Sequence, residues 1–234
     1  VQTFIDRNEM YASWIGEALA IGVSGGFVIL LDEPDILWQL FCGWKYYRKY
    51  LNQTPNVKDK QIETWNGHWL SHWCRKFYND LTPYKSFHIM LTESMGNLAI
   101  PTKPWLEIIM ALSKKYPDKV ITAYSYNLSQ TNTTLGFINL YLPEVHSLFD
   151  FRDKLFFDGK QSILSDEEIE SFNTYYNFKS ACRLGTIGLK AIEPDKLRQY
   201  FPIGSMPYAQ GKEYKFNNEE SYINYELYKI WIIA

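Results

Sequence analysis

Two histidines four residues apart, in the stretch GHWLSHWC, are the first candidates for chemistry. On a helix, His68 and His72 would share one face, where two imidazoles can hold a metal ion between them. The zincin pattern needs a glutamate directly after the first histidine, and Trp69 occupies that position. Asn66 and Gly67 also weaken the helix that such a site requires. We therefore expect no metal or other cofactor, and His68 and His72 are the residues that would ligate a metal if one did bind.

Acidic residues after an apolar run form a second candidate site. FVILLDEPD (27–35) resembles the Walker B segment of ABC-type ATPases, in which the aspartate holds Mg²⁺ and the glutamate polarises the attacking water. The chain has no G-x-x-x-x-G-K-[ST] sequence, so the usual phosphate-binding loop is missing. Asp32 and Glu33 could still join Glu93 in a carboxylate cluster for a divalent ion. These three are the candidate catalytic residues of an alternative function, a metal- or nucleotide-dependent enzyme or an ATPase fragment. The simpler interpretation is a strand end followed by an acidic helix start.

Aromatic residues make up 17% of the 234 residues, which is a high proportion. Rings supply large buried areas, and they also supply flat surfaces for docking or for stacking on bases. In WKYYRKYL (44–51), Lys45, Arg48 and Lys49 would line one edge of a helix beside such rings. A net charge of −2 argues against tight non-specific nucleic-acid binding by the whole chain, so a local basic edge is the form that binding would take. Solvated cations on an amphipathic helix are the simpler interpretation.

A second set of rings could stack bases on the face of a sheet. KVITAYSYN (119–127) and TLGFINLYLP (134–143) are predicted strands, and aromatic residues recur at alternate positions within both. Alternate residues of a strand share one face, where rings can stack on unpaired bases. The candidate nucleic-acid-binding residues are Lys45, Arg48, Lys49, Tyr124, Tyr126 and Tyr141.

The spacing of apolar residues predicts an α+β protein with helices on one face of an antiparallel sheet. The predicted strands are 27–31, 86–94, 119–127 and 134–143. The predicted helices are 3–21, 35–51, 104–117, 145–157, 165–184, 194–201 and 219–234. Ser165 and Glu168 have the spacing of a capping box. The predicted domains are N-terminal helices with a buried strand (1–57), an α+β core (58–143) and a mainly helical C-terminal part (144–234).

The cysteines and the longest apolar stretch bear on the cellular compartment. Three cysteines without a CxxC pair predict free thiols in a reducing compartment, the cytoplasm. IGEALAIGVSGGFVILL (15–31) is short for a membrane span and is interrupted by glycines. We therefore expect no membrane association.

Residues 61–141 resemble a known domain. QIETWNGHW (61–69) is similar to the I-E-x-W-x-x-x-W signature of the YubB-like domain of small phage and plasmid proteins. SFHIMLTES, AIP, PWLEIIMALSKKYPDK, VITAYSYN and LGFINLY then follow in the family's order of strand, loop, helix, strand and strand. The family's usual W-G-T-K-W is replaced by WNGHW, and the loop before the helix is longer. The resemblance implies a ferredoxin-like core and an origin in a phage or other mobile element, and it implies no reaction.

These observations favour a non-enzymatic accessory protein of a phage or other mobile element. No complete catalytic motif is present, and abundant aromatic residues suit docking surfaces. We expect other protein subunits as partners in a larger assembly, with nucleic acid as the alternative partner. Trp65 and Trp69 should then be buried anchors of the fold rather than parts of an exposed stacking surface.

Overall fold

Helices and strands alternate along the chain, and the α+β class predicted from the sequence is confirmed. The computed structural model describes residues 5–58, 60–94, 96–127, 134–156, 164–170, 172–195, 227 and 229–234. In chain order the elements are α1 (Arg7–Ala18), β1 (Ile21–Val23), β2 (Phe27–Leu31), α2 (Pro34–Gln53), α3 (Ile62–Trp73), β3 (Thr92–Ser94), β4 (Asn97–Ala99), α4 (Trp105–Lys115), β5 (Val120–Asn127), β6 (Thr134–Tyr141), α5 (Leu142–Phe156), α6 (Asp166–Glu170), α7 (Phe178–Cys182), β7 (Thr186–Ile187) and a 3-10 turn (Leu189–Ile192).

The chain divides into two units. The first comprises Val1–Ile108 and Ile121–Ile138, and the second comprises Ile109–Val120 and Asn139–Ala234. The strands of the main sheet follow the order β1-β2-β5-β6-β7, and β3 and β4 form a separate two-stranded sheet. The domain boundaries predicted from the sequence, at 57 and 143, stay a prediction.

In the first unit, β2 is the buried strand that its apolar run predicts. It pairs antiparallel with β1 on one side and with β5 on the other. Helix α2 begins at Pro34, whose fixed φ suits the first helical position. Its residues Ile36, Leu40, Gly43 and Tyr47 are buried at helical spacing, so one stripe of α2 packs inward and the rest faces outward.

Helix α3 runs unbroken through Asn66 and Gly67, so the expectation that these residues weaken the helix is wrong. The Asn66 side-chain amide donates to the carbonyls of Ala18 and Ala20 at 2.8 and 2.9 Å. A Cβ on Gly67 would lie 3.5 Å from the carbonyl oxygen of Gly22 in β1, which shows how closely the helix approaches the strand. Tertiary contacts therefore outweigh the local preferences of both residues.

Residues 86–91 do not form the predicted strand, which is limited to Thr92–Ser94. Ser86 has φ 62°, a left-handed conformation that interrupts an extended segment. The next residue, Phe87, is buried and its ring packs in T-shaped geometry on Trp65 and Trp69. The apolar alternation of SFHIMLTES thus directs Phe87, Ile89 and Leu91 toward the ring cluster without forming a paired strand.

In the second unit, α6 begins with the predicted capping box. The Ser165 amide donates to the Glu168 carboxylate, and the Glu168 amide donates to Oγ of Ser165. The predicted helix over 165–184 is, however, two short helices, because Thr174 pairs with Pro194 in an isolated bridge between them. Beyond the second helix, β7 pairs parallel with the end of β6, so the main sheet is mixed rather than antiparallel throughout as predicted.

Buried charges in the second unit are paired. Arg152 is buried and donates to Asp166 at 2.6 Å, and Lys114 contacts Asp166 at 2.8 Å and Glu170 at 2.5 Å. Burial alone would raise the pKa of Asp166, but Lys114 and Arg152 outweigh it and hold that pKa below its ordinary value. Such a network suits a structural role, since a charge left unpaired there would be costly.

The structure also describes the cysteines and the apolar content of the helices. Cys42, Cys74 and Cys182 are thiols rather than members of disulfide bonds, as predicted. Burial raises the pKa of Cys182 to about 12, which keeps it in the unreactive thiol form. Within the ranges that the structure describes, no helix has both the length and the apolar character needed to cross a membrane. The predicted loop 129–133 and most of the predicted helices 194–201 and 219–234 lie outside the described residues.

Candidate functional site

Two aromatic regions of the first unit differ in their exposure, and the inner one is an anchor of the fold. Trp65 and Trp69 of α3 are 0% and 1% exposed, which confirms that they are buried anchors. Their ring centroids lie 6.2 Å apart, and Tyr46 of α2 stacks on Trp69 at 5.0 Å. The indole N–H of Trp69 donates to the carbonyl of Gln39 at 3.0 Å. These rings fill the core and leave no stacking surface.

The contact of Trp69 with α2 depends on Gly43. A Cβ at position 43 would lie 2.6 Å from Cδ1 and 2.7 Å from Nε1 of Trp69, closer than atoms can approach. Gln39 and Gly43 are one helical turn apart, so the indole reaches the Gln39 carbonyl across the bare backbone of Gly43. The absence of a side chain at Gly43 therefore leaves the space that the indole of Trp69 occupies.

The outer aromatic region, which we call the exposed ring face, consists of apolar side chains on α1 and α2. It comprises Tyr11, Trp14, Ile15, Trp38 and Phe41, of which Trp14 is 59% and Trp38 is 63% exposed. On α1 the rings of Tyr11 and Trp14 contact each other at 5.9 Å, and on α2 Trp38 and Phe41 stack at 5.8 Å. Helix α1 contains no buried residue at all. Tyr11, Trp14 and Ile15 of this helix therefore face solvent.

One hydrogen-bonded residue, Asn66, links the C-terminal end of α1 to Trp44 of α2. Phe41 contacts the ring of Trp44 at 5.2 Å, and the indole N–H of Trp44 donates to Oδ1 of Asn66 at 3.3 Å. The amide nitrogen of Asn66 holds the carbonyl of Ala18 at the end of α1. Asn66 thus fixes the end of α1 beside the exposed rings of α2.

A second feature of the first unit is an open groove of about 200 Å³ at the end of α3, which we call the histidine groove. Among the described residues that line it, none is acidic, and seven are polar and bear nitrogen or hydroxyl groups at their ends. These seven are His68, Ser71, His72, Arg75, Ser86, His88 and Lys103. Arg75 is exposed, and Lys103 forms an ion pair with Glu107 one turn into α4.

The two candidate metal ligands lie in this groove, and each has one ring nitrogen occupied. Nε2 of His68 lies 2.7 Å from the carbonyl of Pro101, and Nε2 of His72 lies 2.9 Å from that of Pro83. A carbonyl only accepts, so Nε2 carries the proton and Nδ1 keeps the lone pair in the neutral ring. Burial lowers the pKa of both rings, although the carbonyl bonds oppose it.

The structure does not assemble the candidate acidic residues into an ion site. Asp32 is exposed at the end of β2, Glu33 precedes α2, and Glu93 lies in the separate β3–β4 sheet. Within the described ranges, no three His, Cys, Asp or Glu side chains are placed to hold a metal ion together. The catalytic role of these acids, and the metal-ligand role of the two histidines, stay predictions.

The basic candidates lie on the exposed side of α2, and Nζ of Lys45 lies 4.9 Å from the ring centroid of Tyr46. Lys45, Arg48 and Lys49 are exposed, whereas Tyr47 is buried and packs on Trp65 at 5.2 Å. Within residues 44–51 the helix thus has a buried aromatic side and an exposed cationic side, the arrangement expected of an amphipathic helix. Binding of nucleic acid by these cations stays a prediction.

The aromatic candidates on the sheet are partly open to solvent. Phe137 is 78% exposed and contacts Tyr124 at 5.1 Å, and Tyr124 contacts Tyr126 at 5.8 Å. Burial and the nearby carboxylates of Glu17 and Glu63 raise the pKa of Tyr126. Acidic neighbours of this kind oppose binding of a phosphate backbone. Tyr141, at the end of β6 in the second unit, is exposed as well.

Sequence reasoning missed the histidine groove because its walls come from distant segments. Arg75 ends the α3 segment, Ser86 and His88 lie in the irregular stretch after it, and Lys103 precedes α4. The cue available in the sequence was the density of histidines between 68 and 88. Without knowledge of how residues 83–90 fold back on α3, that density suggested metal binding alone.

Comparison of the chain with family models, with curated proteins and with solved structures gives no match. The function must therefore be inferred from the chemistry of the residues themselves.

Proposed function

We propose that this chain is a non-catalytic interaction subunit that docks on another protein through its exposed ring face. The observation that carries the proposal is that α1 buries none of its residues while it presents Tyr11, Trp14 and Ile15 outward. Tryptophan and tyrosine are enriched at protein interfaces and dominate their binding energy. A large exposed apolar patch on a soluble domain commonly marks such an interface.

The charges of α1 favour a protein as the occupant of this face. The helix and its N-cap carry Asp6, Glu9 and Glu17 against the single cation Arg7. Helices that bind anionic membrane surfaces are rich in lysine and arginine on their polar face, and nucleic-acid sites need cations for the phosphates. An acidic helix with exposed rings suits neither, whereas the apolar surface of a partner protein, with polar groups at its rim, would cover it well.

Photo-crosslinking in the native cells tests this proposal. A benzophenone side chain at position 14 or 38 should yield one discrete product with a second protein. The same group at the exposed turn residue Asn79 is the matched control. The product should disappear when the other tryptophan of the face is changed to alanine. Products identical to those of the control, or products only with a second copy of this chain, would contradict docking on a different protein.

The ferredoxin-like core and the mobile-element setting belong to this proposal as well. Both rest on the resemblance of residues 61–141 to the YubB-like domain. The order of α3, α4, β5 and β6 along the chain supports the first of them. Docking on a second protein would make the chain part of a larger assembly.

Nucleic-acid stacking is a second candidate function on the strength of one observation. Phe137 is exposed and in ring contact with Tyr124, which provides a flat surface on the sheet. Fluorescence anisotropy with labelled single strands at two salt concentrations tests it. Saturable binding that weakens with salt would support it, and an absence of binding at low salt would exclude it.

A further inference from the structure

The histidine groove combines positive charge with hydrogen-bond donors and has no carboxylate among its described lining residues. We propose that it binds a small oxyanion, inorganic phosphate or the phosphate group of a monoester, with Arg75 as its main charge partner. This inference does not depend on docking through the exposed ring face.

The donors in the groove match the acceptors of a phosphate group. The guanidinium of Arg75 offers a planar fork that suits two phosphate oxygens at once. Lys103 is held by Glu107 at the groove, and its ammonium has three hydrogens, so it retains donors beyond that ion pair. The hydroxyl of Ser86 is exposed at the same wall and adds a neutral donor.

The size of the groove limits the ligand. At about 200 Å³ it is smaller than the roughly 300–1,000 Å³ pockets that enclose drug-sized ligands. A phosphate group fits such a volume, whereas a whole nucleotide would extend beyond it. The groove is also open, so the organic part of a monoester can remain in solvent.

The buried histidines couple the anion to protons. Burial lowers the pKa of each ring and so favours its neutral form, in which Nδ1 keeps a lone pair that can take up a proton on acidification. His88 lines the same groove. The charged groups beside His68 are Lys103 and Glu107, and Arg75 lies beside His72. The ring of Tyr78, whose hydroxyl is bonded to Asp80, meets His72 at 5.6 Å.

The direction of the coupling follows from these charges. The ion pair of Lys103 and Glu107 is neutral as a whole, so Arg75 supplies the net charge of the groove at neutral pH. A bound anion favours the protonated imidazoles and raises their pKa. By reciprocity, protonation of the rings tightens the binding of the anion, so affinity should rise as the pH falls from 7.5 to 5.5.

Titration of the whole chain with inorganic phosphate, followed by NMR of the histidine ring protons, tests the proposal. The chain has four histidines, and the signals of the three in the groove should shift saturably. The signal of His146, which lies in the second unit, should not. Sulfate stays doubly charged throughout this pH range, so its binding should tighten as the pH falls from 7.5 to 5.5.

Two variants of equal charge provide the matched comparison. Arg75→Gln should weaken phosphate binding about tenfold or more, because it removes the charge-assisted hydrogen bonds. Lys76→Gln removes the same charge from the adjacent exposed residue outside the groove and should change binding less than about twofold. Acetate distinguishes phosphate recognition from the binding of any carboxylate, and it should bind more weakly than phosphate.

Each of the other results overturns a defined part of the proposal. Equal weakening by Arg75→Gln and Lys76→Gln, or a lack of saturation, would mean that phosphate only screens surface charge. An affinity for sulfate that is independent of pH would exclude the coupling to His68 and His72. If acetate bound as tightly as phosphate, the ligand of the groove would be a carboxylate rather than a phosphate.

Discussion

Helices α1 and α3 have the same length, 12 residues, and opposite environments. Helix α3 buries eight of its residues, and its indoles are among the least exposed side chains of the described chain. Helix α1 buries none, and Trp14 faces solvent. Both helices carry tryptophan, so the residue type does not decide whether a ring becomes core or surface.

The difference lies in what surrounds each helix. Helix α3 is packed between α2 and β1, where Gly43 on one side and Gly22 on the other allow a close approach. A Cβ on Gly22 would lie 3.3 Å from the backbone of Glu63, so the strand offers almost no spare room. Helix α1 is tied through its C-terminal end to Asn66. An aromatic helix fixed mainly by its end has rings available for a partner, and this supports the proposed docking role.

The comparison predicts its largest effect for truncation of tryptophan. Trp65→Ala should destabilise the fold by about 3–5 kcal/mol, because it leaves a ring-sized cavity in the core. Trp14→Ala should change the free energy of unfolding by less than about 0.5 kcal/mol, as expected for an exposed residue. Denaturant unfolding of the isolated chain measures both. Similar losses for the two variants would mean that α1 packs as α3 does.

Replacing a glycine by alanine should destabilise the chain in α2 and stabilise it in α1. Gly43→Ala should destabilise the chain by about 1–3 kcal/mol, because the new Cβ collides with the stacked indole of Trp69. Gly16→Ala on α1 meets nothing within 4 Å and should stabilise by up to about 1 kcal/mol through helix propensity. Thermal unfolding of both variants checks the pair. An unchanged stability of Gly43→Ala would contradict the close contact between Gly43 and the indole of Trp69.

The two buried indoles should themselves differ when each is changed to phenylalanine. Nε1 of Trp69 donates to Gln39, whereas the buried Nε1 of Trp65 has no hydrogen-bond partner among the described residues. Both changes remove the same volume, but Trp69→Phe also strips a carbonyl of its donor. It should therefore cost about 1 kcal/mol more than Trp65→Phe. Equal unfolding free energies would show that the Trp69 hydrogen bond contributes nothing.

The smallest effect concerns pH and is confined to α3. The pKa of His68 and of His72 is lowered in the folded chain, whereas the unfolded chain titrates near about 6.5. The unfolded state therefore binds more protons on acidification, and stability falls as the pH drops below about 6.5. The double variant His68→Gln/His72→Gln should lose less stability than the parent chain between pH 7.5 and 5. Equal losses of stability in the variant and in the parent chain would contradict the lowered pKa values of His68 and His72.

Local signals in the sequence predicted the elements that begin or end at strong markers. Pro34 marks the start of α2, the apolar run FVILL marks β2, and Ser165 with Glu168 marks the start of α6. These features act within a few residues, so composition and spacing reveal them.

Local sequence patterns do not predict features that depend on distant parts of the chain. Asn66 stays helical because its amide meets carbonyls more than 40 positions earlier in the chain. Residues 86–91 do not pair as a strand, and Phe87 packs into the ring cluster instead. The histidine groove needs three segments to meet, and the exposure of α1 reflects a lack of burying neighbours within the described residues. None of these contacts has a local pattern.

Hydroxyl-radical footprinting of tryptophan oxidation tests the central claim most directly, because one measurement covers both ring regions. In the isolated chain Trp14 and Trp38 should oxidise readily, and Trp65 and Trp69 should be protected. In the native assembly, labelled in the cell, Trp14 and Trp38 should become protected while the other two are unchanged. Equal oxidation of Trp14 and Trp38 in the isolated chain and in the cell would contradict the account, because the exposed ring face would then have no partner.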